Sequence, residues 1–120
     1  MPRTATPDEE TVLTAITDAL AVLHQRHYGR LPHSARTMFM GDDMLACVMG
    51  GVYTDVEKTL IELEREPLVA EARSTFQEAM SHRLIAAVQR ISGRTVQKFL
   101  STHHVGPDLE VELFLLVPAP

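Results

Sequence analysis

MFMGDDMLACVMGG, residues 38–51, is the stretch that decides how this chain folds. Apolar runs flank Gly41-Asp42-Asp43, and the second run closes on Gly50-Gly51. A short Gly/Asp interruption between apolar runs signals a β-hairpin. Asp hydrogen-bonds its own backbone and Gly accepts positive φ, so both suit the turn. The competing reading is a carboxylate pair for catalysis or metal binding. Neighbouring strand positions point to opposite faces, which is a poor arrangement for a shared acid/base site. The pair also lacks the His or third carboxylate that a metal would want. Asp42 and Asp43 are therefore read as turn residues.

Upstream, TPDE places Thr6 as N-cap, Pro7 at the first helical position and Glu9 three residues on, a capping box. Val12, Ile16, Leu20 and Leu23, with Ala19, follow helical spacing, so a helix is expected over residues 7–27. Gly29 and Pro32 end it. Downstream, TDVE is a second capping box, Thr54 with Glu57, opening a helix to about residue 64. Its expected buried stripe is Val56, Leu60 and Leu63. Pro67 suits the first turn of a long helix over residues 66–92, striped by Val69, Ala72, Phe76, Met80, Leu84, Val88 and Ile91. TVQKFLSTHH and DLEVELFLLV then read as strands around the VGPD turn. In the last strand Leu109, Val111, Leu113, Leu115 and Val117 share one face. Glu110 and Glu112 take the other, with Phe114 and Leu116.

The order α-β-β-α-α-β-β predicts a two-layer α+β fold, with two hairpins in one four-stranded, mainly antiparallel sheet and helices on one face. One domain over residues 1–120 is expected, ordered over about 7–117 and frayed at both ends. The sheet holds more apolar residues than one covered face needs. Met38, Met40, Cys47, Met49, Phe114 and Leu116 are assigned to a second face that requires its own cover, and a homodimer is the simplest cover.

Composition narrows the function. Eleven basic and sixteen acidic residues give a net charge of −5 with no block of one sign, which argues against nucleic acid as a partner. The single cysteine excludes an internal disulfide. No apolar run reaches the roughly 18–20 residues needed to span a membrane, so direct membrane insertion is not expected. The first ten residues, polar then acidic, do not resemble a signal peptide, and a cytoplasmic location is expected.

Candidate chemistry is sparse. HYGRLPHSAR, residues 27–36, gathers Tyr28, Arg30, His33 and Arg36 around a helix end, where guanidinium groups could clamp a carboxylate, bicarbonate or phosphate. His24 and His27 lie three apart but have no Cys or carboxylate companions. His103 and His104 are adjacent in a strand and face opposite sides. Cys47 sits inside an apolar strand as an inert thiol. No nucleophile elbow, Cys-x-x-Cys, phosphate loop or dinucleotide fingerprint occurs. No catalytic residue, metal or cofactor is expected.

These residues also carry a resemblance. HYGRLPHSARTMFMGDDMLACVMGGVYTDVEKTL, residues 27–60, is similar to the central signature of MpsC-like proteins. The matching positions are Tyr28, Gly29, Arg30 and Pro32, then Asp42, Asp43 and Met44, then Gly51, and last Thr54, Glu57 and Lys58. ELEREPLVAEARSTFQEAM resembles the family's long helix and SGRTVQKFLSTHH its Gly-x-x-Val strand, so the likeness spans roughly residues 10–117. The chain departs at His103-His104, where the family often has an Asp-containing stretch. The family is named for a sodium-translocating, membrane-potential-generating system linked to bicarbonate supply. The resemblance carries over no catalytic residue. Together with the surplus apolar face and the absence of a catalytic constellation, the expectation is a non-enzymatic accessory or regulatory module that dimerises through its sheet and binds a partner protein, the resemblance pointing to a membrane sodium or bicarbonate transporter. The alternative expectation is a small-anion or metabolite-binding domain, or an enzyme, built on the Tyr28–Arg36 loop.

Overall fold

A computed structural model describes residues 4–118, so the expected fraying of the ends falls partly outside the described residues. The order is α1 (Pro7–Tyr28), β1 (Ser34–Phe39), β2 (Met44–Gly50), α2 (Asp55–Glu62), α3 (Glu66–Ser92), β3 (Val96–His104) and β4 (Leu109–Leu116). This is the predicted α+β order.

Local chemistry sets the boundaries. The Thr6 hydroxyl accepts from the Glu9 amide while Glu9 accepts from Thr6 N, closing the first capping box. Thr54 and Glu57 close the second in the same way. Gly29 ends α1 at φ 81°, a left-handed conformation that costs glycine little. Gly41-Asp42-Asp43 turns the chain between β1 and β2. Asp43 is ion-paired to Arg94 at 2.7 Å, and the Arg94 guanidinium also donates to the carbonyls of Asp42 and Val117. The opening stretch is thus a hairpin whose turn is tied to the start of β3.

The four strands form one antiparallel sheet in the order β1-β2-β4-β3. β2 and β4 pair centrally and join the two hairpins. Between them α2 and α3 carry the chain across the sheet; α3, at 27 residues, spans roughly 40 Å. α1 packs on β1 and α3, α3 packs on β3, and α2 packs on α3, so the helices share one face. Leu13, Ile16 and Leu20 of α1, Leu45, Cys47 and Met49 of β2, Val69, Leu84 and Val88 of α3, and Phe114 and Leu116 of β4 make the core beneath them.

Three expectations are corrected. First, Cys47, Met49, Phe114 and Leu116, assigned to a second face, lie in the core under the helices. The even residues of β4 face the helices because Glu110 and Glu112 find partners there, and Phe114 and Leu116 follow by alternation. Second, the α3 stripe is rotated in its first half. Arg73 and Gln77 are buried, whereas Ala72 and Phe76 are exposed. Third, α2 buries no residue: Val56 and Leu63 are exposed, and only Leu60 and Ile61 pack partly on the core.

Met38 and Met40 do lie on the open face, with Arg36. Alternation and register place Met44, Ala46 and Val48 of β2, Val111, Leu113 and Leu115 of β4, and Lys98 and Leu100 of β3 beside them. No described element covers this face. The second apolar face therefore exists, but with a different membership.

Candidate functional site

Glycine and aspartate build the frame of the site. After β2 the chain turns at Gly51, whose φ is +62° and whose missing side chain leaves room for the Cβ of His33. Asp108 holds the turn: its carboxylate accepts from Val52 N at 2.8 Å and its carbonyl from Gly51 N at 3.2 Å. This brings Tyr53 inward, where its hydroxyl donates to the His104 carbonyl at 3.0 Å.

Against Tyr53 sits Arg73, fully buried. Its Nε and Nη2 donate to the two Glu57 oxygens at 2.7 Å each, a bidentate pair. Nη2 also donates to the Val52 carbonyl at 2.8 Å, and Nη1 to Glu110 Oε1 at 3.2 Å. The guanidinium lies 4.1 Å from the Tyr28 ring centroid and 4.8 Å from that of Tyr53, between two aromatic faces that favour a cation. Gln77, one turn further along α3, donates from Nε2 to both Glu110 Oε1 at 3.0 Å and Glu112 Oε1 at 3.1 Å. Three carboxyls, an amide and a guanidinium thus converge from β4, α2 and α3 inside an apolar core. Charges are seldom buried unless paired, and here one guanidinium serves several carboxyls.

The electrostatics follow the burial. Burial opposes the charge on Arg73, but Glu57 together with Tyr28 and Glu110 outweighs it and raises the pKa further. Burial likewise opposes the Glu57 carboxylate, and Arg73 with the Thr54 cap overcomes it, so Glu57 titrates below the usual range. Glu112 has no guanidinium of its own. Burial, and then the neighbouring Glu110, push its pKa up to about 9. Burial also raises Tyr28 and lowers His24. The His24 Nδ1 lies 3.0 Å from the Arg30 carbonyl, which can only accept, so a neutral His24 carries its proton there.

The sequence-predicted loop residues do not converge on one ligand. Tyr28 turns into the core against Arg73. The Arg30 guanidinium donates to the Tyr53 carbonyl at 3.1 Å, bracing the 51–53 turn. His33 is exposed and packs on Gly51. Arg36 is exposed on β1 and lines a shallow groove with α1 residues, which Arg30 does not line. His24 and His27 diverge, with His27 Nε2 3.4 Å from Arg83 Nη1. His103 and His104 take opposite faces, as the alternation predicts. Cys47 is fully buried, and burial pushes its thiol up to about 11. Among the described residues, no group of three His, Cys, Asp or Glu side chains could hold a metal ion.

Arg73, Gln77, Glu110 and Glu112 were missed by sequence reasoning. The available signal was a coincidence of two patterns: Arg73 and Gln77 continue the four-residue step from Val69, while Glu110 and Glu112 alternate in phase with Phe114 and Leu116. Polar residues on two buried stripes at once point to one another.

A second feature lies outside this cluster. A groove of about 310 Å³ runs between α2 and α3, lined by Val56, Leu60, Leu68 and Phe76 and touching Tyr28 and Glu57.

Fold and site together define a small two-layer α+β domain with a buried ionic cluster and an uncovered apolar sheet face. Residues 8–117 match the family described as Na+-translocating membrane potential-generating system (MpsC), and the chain belongs to that family. No curated protein and no solved structure matches it. Among the described residues no helix is long and apolar enough to cross a membrane.

Proposed function

We propose that this protein is a non-enzymatic accessory component of a membrane-potential-generating system. It works in the cytoplasm as a homodimer paired through the open sheet face, and the dimer binds a membrane sodium or bicarbonate transporter. The observation that carries this reading is the apolar open face. Met38, Ala46, Leu113 and Leu100 form one cross-strand row, and Val48 and Val111 extend it. A polar face would be normal for an antiparallel sheet with helices on one side only. Two such faces pack about 10 Å apart and remove both from water. The family description supports the transport setting. The ionic cluster supports the non-enzymatic part, because its members pair with one another around a space too small for an organic substrate.

Light scattering on a sizing column, over a dilution series, tests the reading. The expected mass is twice 13.4 kDa, returning to 13.4 kDa in Leu113→Lys. A monomer at every concentration, or a dimer that survives Leu113→Lys with unchanged affinity, overturns it.

A further inference from the structure

A cleft of about 570 Å³ runs between α1 and α3, lined by Val22, Leu23 and Ala86 and by Arg26, Arg83 and Arg90. Leu20, Leu84 and Val88 of the same helices are buried in the core, so the cleft opens on the opposite, solvent side. Its volume falls among those of small-molecule sites, about 300–1,000 Å³.

The charge of the cleft runs against that of the chain. Three of the nine arginines line it, although acids outnumber bases overall. Among the described residues, ion pairs join Arg73 and Arg94 to carboxylates, and none joins Arg26, Arg83 or Arg90. Asp18 is the one acid on the lining. Arg83 Nη1 donates to His27 Nε2 at 3.4 Å, which sets Arg83 beside the end of α1 that carries Arg26. Burial, and then Arg83 and Arg26, lower the pKa of His27, so a positive field surrounds it. Clustered guanidiniums repel one another, and an anion seated between them relieves the repulsion.

The layout narrows the ligand. Tyr28 meets Phe76 near the end of α1, and Asp18, further back on α1, lines the cleft with Arg90, so the two helices run antiparallel. Arg26 and Arg83 therefore stand at one end of the cleft, and Asp18 and Arg90 at the other, roughly 10–12 Å along the helices. The apolar stretch between them is short and bounded by polar groups, which suits a compact ring and not an acyl chain. Two guanidinium forks at one end match a phosphate monoester, which carries close to two negative charges near pH 7 and several acceptor oxygens. A carboxylate would leave one of the two forks uncompensated. A long polyanion is disfavoured by the net charge of −5.

We propose that the α1–α3 cleft binds a small soluble organic phosphate monoester, its head held by Arg26 and Arg83 and its apolar body seated on Val22, Leu23 and Ala86. The site does not depend on pairing through the sheet face, which lies on the other side of the molecule.

The probe is 1-naphthyl phosphate, titrated into the 15N-labelled full chain and followed by amide shifts. Saturable shifts are expected within residues 18–27 and 83–90, with a Kd at or below about 1 mM. Inorganic phosphate, 1-naphthol and 1-naphthoate, which lack the body, the head and the second charge, should each bind at least about tenfold more weakly. Arg83→Gln should weaken 1-naphthyl phosphate by about tenfold, while Arg36→Gln, on the open sheet face, leaves it unchanged. No saturation, shifts centred on the sheet face, or equal binding of any of the three controls overturns the proposal. So does an affinity that survives both Arg26→Gln and Arg83→Gln. Protein that ignores 1-naphthyl phosphate but sediments with phosphatidic acid vesicles also overturns it. The shift map needs no variant, so the proposal stays testable even where a substitution disturbs folding.

Discussion

At the scale of the residue, Arg73 is the keystone of the core. It is the one guanidinium serving Glu57, Glu110 and the Val52 carbonyl, and its plane is held between Tyr28 and Tyr53. Arg73→Met keeps much of the volume but strands buried carboxyls. Breaking a buried pair on one side typically costs about 3–5 kcal/mol, and chemical denaturation should show a loss of that order. Arg73→Lys should recover little of it, because a single ammonium cannot reproduce the fork that reaches Glu57 and Glu110 together. Glu112 has a different signature. Its pKa is about 9 in the folded chain and 4.5 as the reference for the unfolded one, so between those values the folded state holds a proton that the unfolded state has lost. Stability from this group is present below pH 4.5 and declines as pH rises through that window. Melting temperatures of the wild type should fall towards pH 9, and those of Glu112→Gln should be flatter. His24 acts in the opposite sense: its lowered pKa makes protonation favour the unfolded chain as pH drops below 6.5.

At the scale of the element, the two capping boxes look alike in sequence but differ in reach. Thr6-Glu9 caps the start of α1 on the surface. In the second box Glu57 Oε1 accepts from both Thr54 N and Arg73 Nη2, so the helix cap and the buried ion pair share one oxygen. Thr6→Ala should cost about 1 kcal/mol, a normal cap loss. Thr54→Ala should cost visibly more in the same denaturation assay, because it also loosens the carboxylate that holds Arg73. A Thr54→Ala loss no larger than that of Thr6→Ala would disconnect cap from cluster. The same comparison explains the misreading of α2. Its apolar residues suggest a buried face, yet it packs only partly on the core through Leu60 and Ile61 while Glu57 reaches Arg73, and Val56 remains 71% exposed beside the groove with α3.

At the scale of the molecule, the open sheet face combines an apolar centre with a basic rim. Its charged positions are Arg36 and Lys98, with His104 on the same side, and no acid lies among them, although the whole chain carries −5. Two copies packed face to face bring like-charged rims together. Salt screens that repulsion and strengthens apolar burial, so dimer affinity should rise with ionic strength. Sedimentation equilibrium at low and high NaCl checks this; a dimer that dissociates on adding salt would place ion pairs, not apolar rows, at the contact.

The sequence by itself determined the elements. Thr6-Pro7-Glu9, Gly29, Gly41-Asp42-Asp43, Thr54-Glu57 and Pro67 are local signals, and each acts within a few residues of chain. The order α-β-β-α-α-β-β and the two hairpins follow from them. Which face of each element turns inward was decided only by tertiary structure. Side-chain alternation fixes which residues of β4 sit together but not which set is buried, and the glutamates suggested the wrong one. Their burial depends on Arg73 and Gln77, some 33–37 residues earlier in the chain, and becomes favourable only when α3 lies across β4. A polar residue in isolation reads as surface; a complementary pair brought together by the fold reads as core.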